Sequence, residues 1–222
     1  MRVSALEGHA IWSAVYDGSP NPLVQLERRV VIHWLPPLLH RTFVDVACGT
    51  GRWARYAAGQ GAHVFGADSC APMLNVAAAS LRPRFVQADA LRLPFPHRLS
   101  DLTMCALAAG YIECPARLIA ELARITRIGG VILLTDVHPS ALALGWRRSF
   151  RRAGEIYEME HHAHPVGAYL TAARGLGLQL ERIEEAPFGE PERAVFEQCG
   201  RAGAFASVCR VPALFAVQWR RA

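Results

Sequence analysis

The most informative segment of the chain reads Phe43-Val44-Asp45-Val46-Ala47-Cys48-Gly49-Thr50-Gly51-Arg52-Trp53. Its first half predicts a buried strand, and its second half predicts a glycine-rich turn that opens a helix. Gly49 and Gly51 allow the backbone to turn sharply and to come close to a ligand, with the first amides of the helix pointing at that ligand. The segment therefore predicts a binding site at the end of this strand.

Two further carboxylates follow neighbouring strands. The next predicted strand ends in Gly66-Ala67-Asp68, and the one after it ends in Gln87-Ala88-Asp89-Ala90. Asp68 would lie at the carboxyl edge of the sheet, where a carboxylate can accept hydrogen bonds from both hydroxyls of a ribose. Asp89 would then lie beside an adenine and accept from its exocyclic amine.

Strand-like and helix-like runs alternate from residue 42 onward. We predict strands at 42–47, 63–67, 84–87, 102–106 and 131–135, with helices at 52–59, 72–80 and 115–126, the last ended by Gly129-Gly130. This alternation is typical of right-handed βαβ units and a parallel sheet covered on both faces. Residues 178–184 and 214–219 alternate like half-exposed strands, which predicts an antiparallel pair at the end of the sheet. Residues 3–40 are predicted to be largely helical, with one helix starting at Asn21-Pro22.

Composition restricts the class of protein. The 222 residues are 52% hydrophobic and 19% charged, which predicts a folded chain with a sizeable core. No apolar run approaches the ~20 residues of a membrane span, and Glu7 and His9 lie where a signal peptide needs its apolar stretch. The net charge of +5 includes 24 arginines and no lysine, and it is weak evidence for a nucleic-acid partner. The 6 cysteines are scattered, so we expect free thiols and a cytoplasmic protein.

The first motif resembles that of the class I S-adenosylmethionine-dependent methyltransferases, in particular the small enzymes of type 11 and of the ubiquinone and menaquinone biosynthesis kind. In that family an acid precedes alternating glycines. Asp45, Gly49 and Gly51 match this pattern, and Ala47 stands in place of the first glycine. Residues 42–136 carry the resemblance firmly, and the flanking segments carry it loosely.

The resemblance implies a Rossmann-like, doubly wound α/β fold, with a mostly parallel seven-stranded sheet, an antiparallel last strand and a helical N-terminal cap. Residues 1–222 would form a single methyltransferase domain, with the cap at 1–40, the cofactor-binding core at 42–136, and an acceptor-side segment with the closing strands at 137–222. The cofactor would be S-adenosyl-L-methionine, and its product S-adenosyl-L-homocysteine. The cofactor-binding residues that the resemblance implies are Tyr16 (in a lid segment, residues 14–17), Asp45, Ala47, Cys48, Gly49, Gly51, Asp68, Ser69, Met73, Asp89, Ala90 and Ala106.

A nicotinamide or flavin enzyme is the alternative, because Gly49-Thr50-Gly51-Arg52-Trp53-Ala54 also fits a loose G-x-G-x-x-A pattern. Three features favour S-adenosylmethionine over a nicotinamide or flavin as the cofactor. Asp45 lies inside the first strand, Asp89 ends the third strand, and a chain this short leaves little room for the separate substrate domain of many dehydrogenases.

The segment after the fourth strand bears on the methyl acceptor. It reads Cys105-Ala106-Leu107-Ala108-Ala109-Gly110-Tyr111 and lacks the Asn/Asp-Pro-Pro-Tyr/Phe run of enzymes that methylate exocyclic or amide nitrogens. We predict methyl transfer to an O, N or S atom of a small molecule with an apolar or aromatic part, by a monomer or homodimer. An RNA or protein methyltransferase is the alternative, using two i, i+4 arginine pairs on one side of a predicted helix, Arg147 with Arg151 and Arg148 with Arg152. A non-catalytic, cofactor-binding member of the fold is another.

Histidines supply the candidate catalytic group. His138 follows the fifth strand at the ligand-binding edge, where its imidazole could take a proton from the acceptor; a loop or helix-capping role is the alternative. The predicted substrate residues are Trp12, Trp146, His161 and His164. No metal is expected, although Asp136, His138, His161 and His164 together could form a site of mixed N and O ligands.

Overall fold

A computed structural model describes residues 1–80 and 84–222 of the chain. Its strands are β1 (Arg2–Val3), β2 (Thr42–Val46), β3 (His63–Asp68), β4 (Arg84–Gln87), β5 (Ser100–Ala106), β6 (Thr126–Val137), β7 (Ser149–Arg152), β8 (Glu155–Met159), β9 (Leu178–Ala186) and β10 (Leu214–Arg221). Its helices are α1 (Ala5–Trp12), α2 (Pro22–Val31), α3 (Arg52–Gly59), α4 (Ala71–Ser80), α5 (Pro115–Ile125), α6 (Pro139–Ala143), α7 (Val166–Arg174), α8 (Glu190–Gln198) and α9 (Phe205–Val208). Short 3₁₀ turns lie at Ser13–Val15, Ala109–Tyr111 and Ala202–Ala204.

The main sheet has seven strands in the order β4-β3-β2-β5-β6-β10-β9. The pairs from β4 to β6 are parallel, and β10 is antiparallel to both of its neighbours. The predicted fold class, a mostly parallel seven-stranded sheet with an antiparallel last strand, is confirmed. Among the described helices, none is long and apolar enough to span a membrane.

Parallel register brings the ends of the strands to one edge. Val46 at the end of β2 pairs with Ala67 of β3 and with Cys105 of β5, and Asp68 at the end of β3 pairs with Gln87 of β4. The glycine turn and the segments that follow β3, β4 and β5 therefore leave the sheet on the same side. The chain order of the strands reverses between β2 and β5, and α/β sheets bind their ligands at such a switch point.

Helices cover this sheet on both faces. Val44 and Val46 of β2 pack in the hydrophobic cluster that includes α5 and α7, whereas Phe43 packs with Trp53 of α3 and Val31 of α2. The alternation follows from the period of two along a strand. Because β2 is central, both of its faces are buried, which explains its almost continuous apolar sequence.

Helix α2 starts where the sequence predicts. The Oδ1 atom of Asn21 accepts hydrogen bonds from the backbone amides of Leu23 and Val24, at 3.0 and 3.4 Å, and Pro22 occupies the first turn. Glu27 of α2 is fully buried and accepts from Arg52 at 2.7 Å. This ion pair fixes the N-terminal cap against the start of α3.

Two elements differ from the sequence-based predictions. The helix predicted through the arginine pairs is wrong, because residues 149–159 form the hairpin β7–β8, which pairs with β1 in a second, three-stranded sheet. Ala153 and Gly154 have φ angles of 49° and 86°, typical of a tight hairpin turn and incompatible with a continuing helix. Strand β6 also starts earlier than predicted, at Thr126, and runs through both glycines. A Cβ on Gly130 would lie 3.0 Å from the backbone oxygen of Ser100, so glycine permits this close approach to β5.

Candidate active site

A cavity of about 310 Å³ lies at the carboxyl edge of β2, β3, β4 and β5, and α1 with the turn that follows it forms the opposite wall. The structure brings together here every predicted cofactor residue except Gly51. They are Tyr16, Asp45, Ala47, Cys48, Gly49, Asp68, Ser69, Met73, Asp89, Ala90 and Ala106. The volume is near the lower end of the range for small-molecule sites, roughly 300–1,000 Å³.

The turn after β2 leaves room for a ligand at one of its two glycines. Gly49 and Gly51 have φ angles of 55° and 81°, a region that glycine adopts without steric cost. A Cβ added at Gly49 would meet no other protein atom within 4 Å, so the backbone is open to close approach there. A Cβ at Gly51 would lie 3.2 Å from the Cβ of Ala77. Gly51 therefore serves the packing of α3 against α4, not the cavity wall.

Two backbone amides hold the carboxylate of Asp68 in place at the cavity. Its Oδ2 accepts from the amide of Gly49 at 2.7 Å, and its Oδ1 accepts from the amide of Cys70 at 2.8 Å. A carboxylate offers about four acceptor positions, so each oxygen retains one for a ligand hydroxyl. At the end of the next strand, Oδ1 of Asp89 accepts from the amide of Leu91 at 2.9 Å.

Asp45 anchors the turn from below. Its Oδ2 accepts from the amide of Ala54 in the first turn of α3 at 3.0 Å. Burial raises the pKa of this carboxyl to about 7, against the opposing effect of the Arg52 guanidinium. Asp45 is thus positioned to shape the turn more than to offer a full negative charge to a ligand.

Contacts of Asp17 fix the N-terminal segment beside the cavity. The hydroxyl of Thr50 donates to Oδ1 of Asp17 at 2.6 Å, and Arg55 pairs with Oδ2 of Asp17 at 3.0 Å. The ring of Tyr16, the residue before Asp17, meets the ring of Trp12 edge to face, with centroids 4.6 Å apart. Burial raises the pKa of the Tyr16 phenol to about 12, so it remains a hydrogen-bond donor.

A buried ion pair supports the segment after β5. Asp136 of β6 bonds to the guanidinium of Arg148 and to the amide of Gly110, and Arg148 also donates to the carbonyl of Leu107 at 2.9 Å. Burial disfavours the charged guanidinium, but the Asp136 carboxylate and the Tyr111 phenol together outweigh this effect, and the pKa of Arg148 is raised. The guanidinium lies 4.4 Å from the ring centroid of Tyr111, which lines the cavity. Arg148, one of the arginines considered for an RNA or protein acceptor, is therefore buried and supports the cavity from inside the protein.

His138 lies outside the cavity. It is buried at the start of α6, where its Nδ1 accepts from the amide of Ser140 at 3.1 Å. Its Nε2 lies 3.4 Å from a carboxylate oxygen of Glu185 on β9. This geometry matches the alternative of a helix-capping histidine.

The four predicted substrate residues also lie outside the cavity. Trp12 stacks on Phe150 with ring centroids 4.8 Å apart, and Trp146 stacks on Phe188 at 5.5 Å. The Nδ1 atom of His161 is hydrogen-bonded to the backbone oxygen of Met159 at 3.1 Å. The Nε2 atom of His164 is hydrogen-bonded to the backbone oxygen of Ile112 at 2.9 Å. Within residues 1–80 and 84–222, no three side chains of His, Cys, Asp or Glu are grouped as metal ligands would be.

Several cavity residues escape the sequence analysis. They include Leu6 and His9 of α1, Arg52 of α3, and Tyr111 and Ile112 after β5. Nothing in the sequence of α1 marks its inner side, because apolar residues are spread around the helix. Tyr111 ends the segment used to judge the acceptor, so its place in the cavity could have been inferred from that segment.

Replacing His138 with alanine is expected to lower the free energy of unfolding by about 0.5–2 kcal/mol, the usual effect of losing a helix cap. The affinity for cofactor should not change, because the side chain does not reach the cavity. Chemical denaturation and calorimetric titration with S-adenosylhomocysteine would measure the two quantities. A large loss of methyl transfer with unchanged stability would instead support His138 as the base.

Known proteins resemble the chain in both sequence and structure. Residues 44–134 match the family described as "Methyltransferase domain". A demethylmenaquinone methyltransferase of Deinococcus radiodurans is 32% identical over 161 residues, covering 69% of this chain and 64% of that protein. A malonyl-[acyl-carrier protein] O-methyltransferase of Pectobacterium atrosepticum is 35% identical over 109 residues, covering 47% of this chain and 43% of that protein. The chain thus spans less than two thirds of either relative.

A solved structure shares the fold. An S-adenosylmethionine-dependent methyltransferase from Mesorhizobium loti superimposes with a TM-score of 0.71 and 24% identity, over 88% of this chain and 98% of that one. The two chains therefore share the fold.

Proposed function

Residues 44–134 of the chain carry a methyltransferase domain, and from this premise we propose that the chain uses S-adenosylmethionine to transfer a methyl group to an O, N or S atom of a small molecule with an apolar or aromatic part. The observation that supports this most directly is the cavity itself. It gathers the open backbone of Gly49 and the carboxylates of Asp68 and Asp89 at the switch point of the sheet.

The donor set of the cavity fits S-adenosylmethionine, the cofactor of this family. Gly49 offers a backbone that a ligand can approach, which suits the methionine end. Asp68 has a free acceptor position on each oxygen, which suits the two ribose hydroxyls. Asp89 with Ala90, and the buried side chain of Met73, suit the adenine. The other predicted cofactor residues that line the cavity complete this set.

Bound S-adenosylmethionine supplies a methyl group already activated by a sulfonium. The protein then has to bind the acceptor, orient its attacking atom and exclude water. The wall formed by Leu6, Tyr16, Tyr111 and Ile112 is apolar and aromatic, which supports an acceptor with an apolar or aromatic part. The Asp17 contacts with Thr50 and Arg55 hold the segment that carries Tyr16 against the turn after β2 and against α3.

The names of the two relatives suggest two kinds of methyl acceptor. One is named for a quinone substrate and the other for a malonyl group on a carrier protein. The aromatic wall favours a ring-bearing acceptor of the first kind. The alternative of an RNA or protein acceptor loses its structural support, because no helix aligns the four arginines and Arg148 is buried against Asp136.

The first experiment is a calorimetric titration of the purified chain with S-adenosylhomocysteine, run beside NADH. We expect binding of the former at micromolar strength or better, and none of the latter. Binding of NADH alone would make the chain an oxidoreductase. If neither ligand bound, a member of the fold that has lost its cofactor would be the better interpretation.

A further inference from the structure

One histidine of the cavity wall has no role in the cofactor assignment. His9 lies on α1, which approaches β8 closely because Gly8 has no side chain: a Cβ there would be 2.5 Å from Cγ of Met159. Ser4 caps the N-terminus of this helix, because its hydroxyl oxygen accepts from the amide of Glu7 at 3.2 Å. These contacts fix the helix and direct the next residue, His9, to the cavity.

The protonation of His9 follows from its one hydrogen bond. Its Nδ1 lies 2.8 Å from the carbonyl oxygen of Ala5, which can only accept, so Nδ1 carries the hydrogen. The Nε2 atom of the neutral ring is then a hydrogen-bond acceptor. In the part of the chain that the structure describes, no protein group donates to it.

The groups that face His9 favour the neutral ring. Burial lowers the pKa of His9 below its ordinary value of 6.5, the Asp68 carboxylate acts in the opposite direction, and Arg148 adds to the lowering. Helix α4, which packs against α1, has no charged residue. On β8, Glu158 pairs with Arg147 at 3.6 Å.

Aromatic side chains surround the imidazole. The ring of Tyr111 meets that of His9 edge to face, with centroids 5.0 Å apart. Tyr16 and Tyr111 both belong to the hydrophobic cluster built on Trp12 and Phe150. An aromatic ring that entered between these side chains would carry a substituent within reach of the imidazole.

We propose that His9 is the proton acceptor for a phenolic or hydroquinone hydroxyl, so that the methyl acceptor of this chain is an aromatic alcohol. This inference rests on the proposed function and narrows its acceptor. The hydroxyl oxygen forms a bond to the methyl carbon while the carbon–sulfur bond breaks and its electron pair stays on sulfur, giving S-adenosylhomocysteine. The hydroxyl proton passes to Nε2 of His9 and from there to solvent. A carboxylate acceptor, ionised at neutral pH, would need no such group.

The test uses 4-nitrophenol as a probe, because its ionised form absorbs visible light. It is titrated into the complex of the full chain with S-adenosylhomocysteine, for the native protein, for His9→Gln and His9→Asn, and for the control His33→Gln, an exposed histidine outside the cavity. The pH is set below the titration of the free phenol. Proton transfer to His9 leaves a phenolate beside an imidazolium, an opposite charge within about 4–6 Å.

We expect a ratio of bound phenolate to phenol that is roughly tenfold or more higher in the native protein and in His33→Gln than in the two His9 variants. The affinity for S-adenosylhomocysteine should be equal in all four. A probe that does not bind, or that ionises equally in all four, overturns the role of His9 and leaves the proposed function standing. A tenfold loss of S-adenosylhomocysteine affinity in both His9 variants also overturns it, by placing His9 in the cofactor site. If the native chain does not bind S-adenosylhomocysteine, the proposed function itself fails.

Discussion

Asp68→Ala is expected to weaken binding of S-adenosylhomocysteine at least tenfold, a loss of about 1.4 kcal/mol or more. The side chain would accept hydrogen bonds from the two ribose hydroxyls at its two free acceptor positions, and hydrogen bonds to a charged group contribute roughly 1.5–3 kcal/mol. It also holds the amides of Gly49 and Cys70, so its loss loosens the turn that faces the methionine end. Calorimetric titration measures the effect directly.

Two variants separate recognition from general damage. Asp68→Asn keeps one carbonyl oxygen as an acceptor, so its affinity should fall between those of the native protein and Asp68→Ala. Asp101→Ala removes a carboxylate at the opposite end of β5, where it pairs with Arg127 and Arg41. That control should bind S-adenosylhomocysteine as tightly as the native chain. Unchanged affinity in Asp68→Ala would place the ribose elsewhere.

The cofactor side of the cavity could be predicted because each of its parts follows its own strand. Gly49 comes after β2, Asp68 ends β3 and Asp89 follows β4. Parallel strands deliver their carboxyl ends to one edge, so local spacing is enough to bring these residues together. Gly51 was the exception, since its contact with Ala77 depends on how α3 packs against α4.

The acceptor side depends on contacts between distant parts of the chain. The arginine pairs look helical by spacing, but residues 149–159 form a hairpin whose second strand pairs with β1, near the N-terminus of the chain. His138 follows β6 at the ligand-binding edge of the sheet. However, β10 pairs with β6 there, and the backbone amide of His138 donates to the carbonyl of Ala213, just before β10. Spacing cannot reveal such a neighbour. The roles of single residues and the single-domain organisation stay predictions.

Arg148→Met is expected to lower the free energy of unfolding by about 3–5 kcal/mol, because it leaves the carboxylate of Asp136 buried without its counter-ion. The side chain of Asp136 is 2% exposed and that of Arg148 8%, so water cannot replace the lost partner. The carbonyl of Leu107 loses its donor as well. Denaturant unfolding at neutral pH measures the change.

The matched control is Arg151→Met on the neighbouring strand β7. Arg151 is exposed, and its substitution should change the free energy of unfolding by no more than about 0.5 kcal/mol. Adding Asp136→Asn to Arg148→Met removes the orphaned charge but keeps an acceptor for the amide of Gly110, so the double variant should be more stable than Arg148→Met alone. If the double variant were no more stable than Arg148→Met, the loss would come from packing against Tyr111 and not from the buried charge.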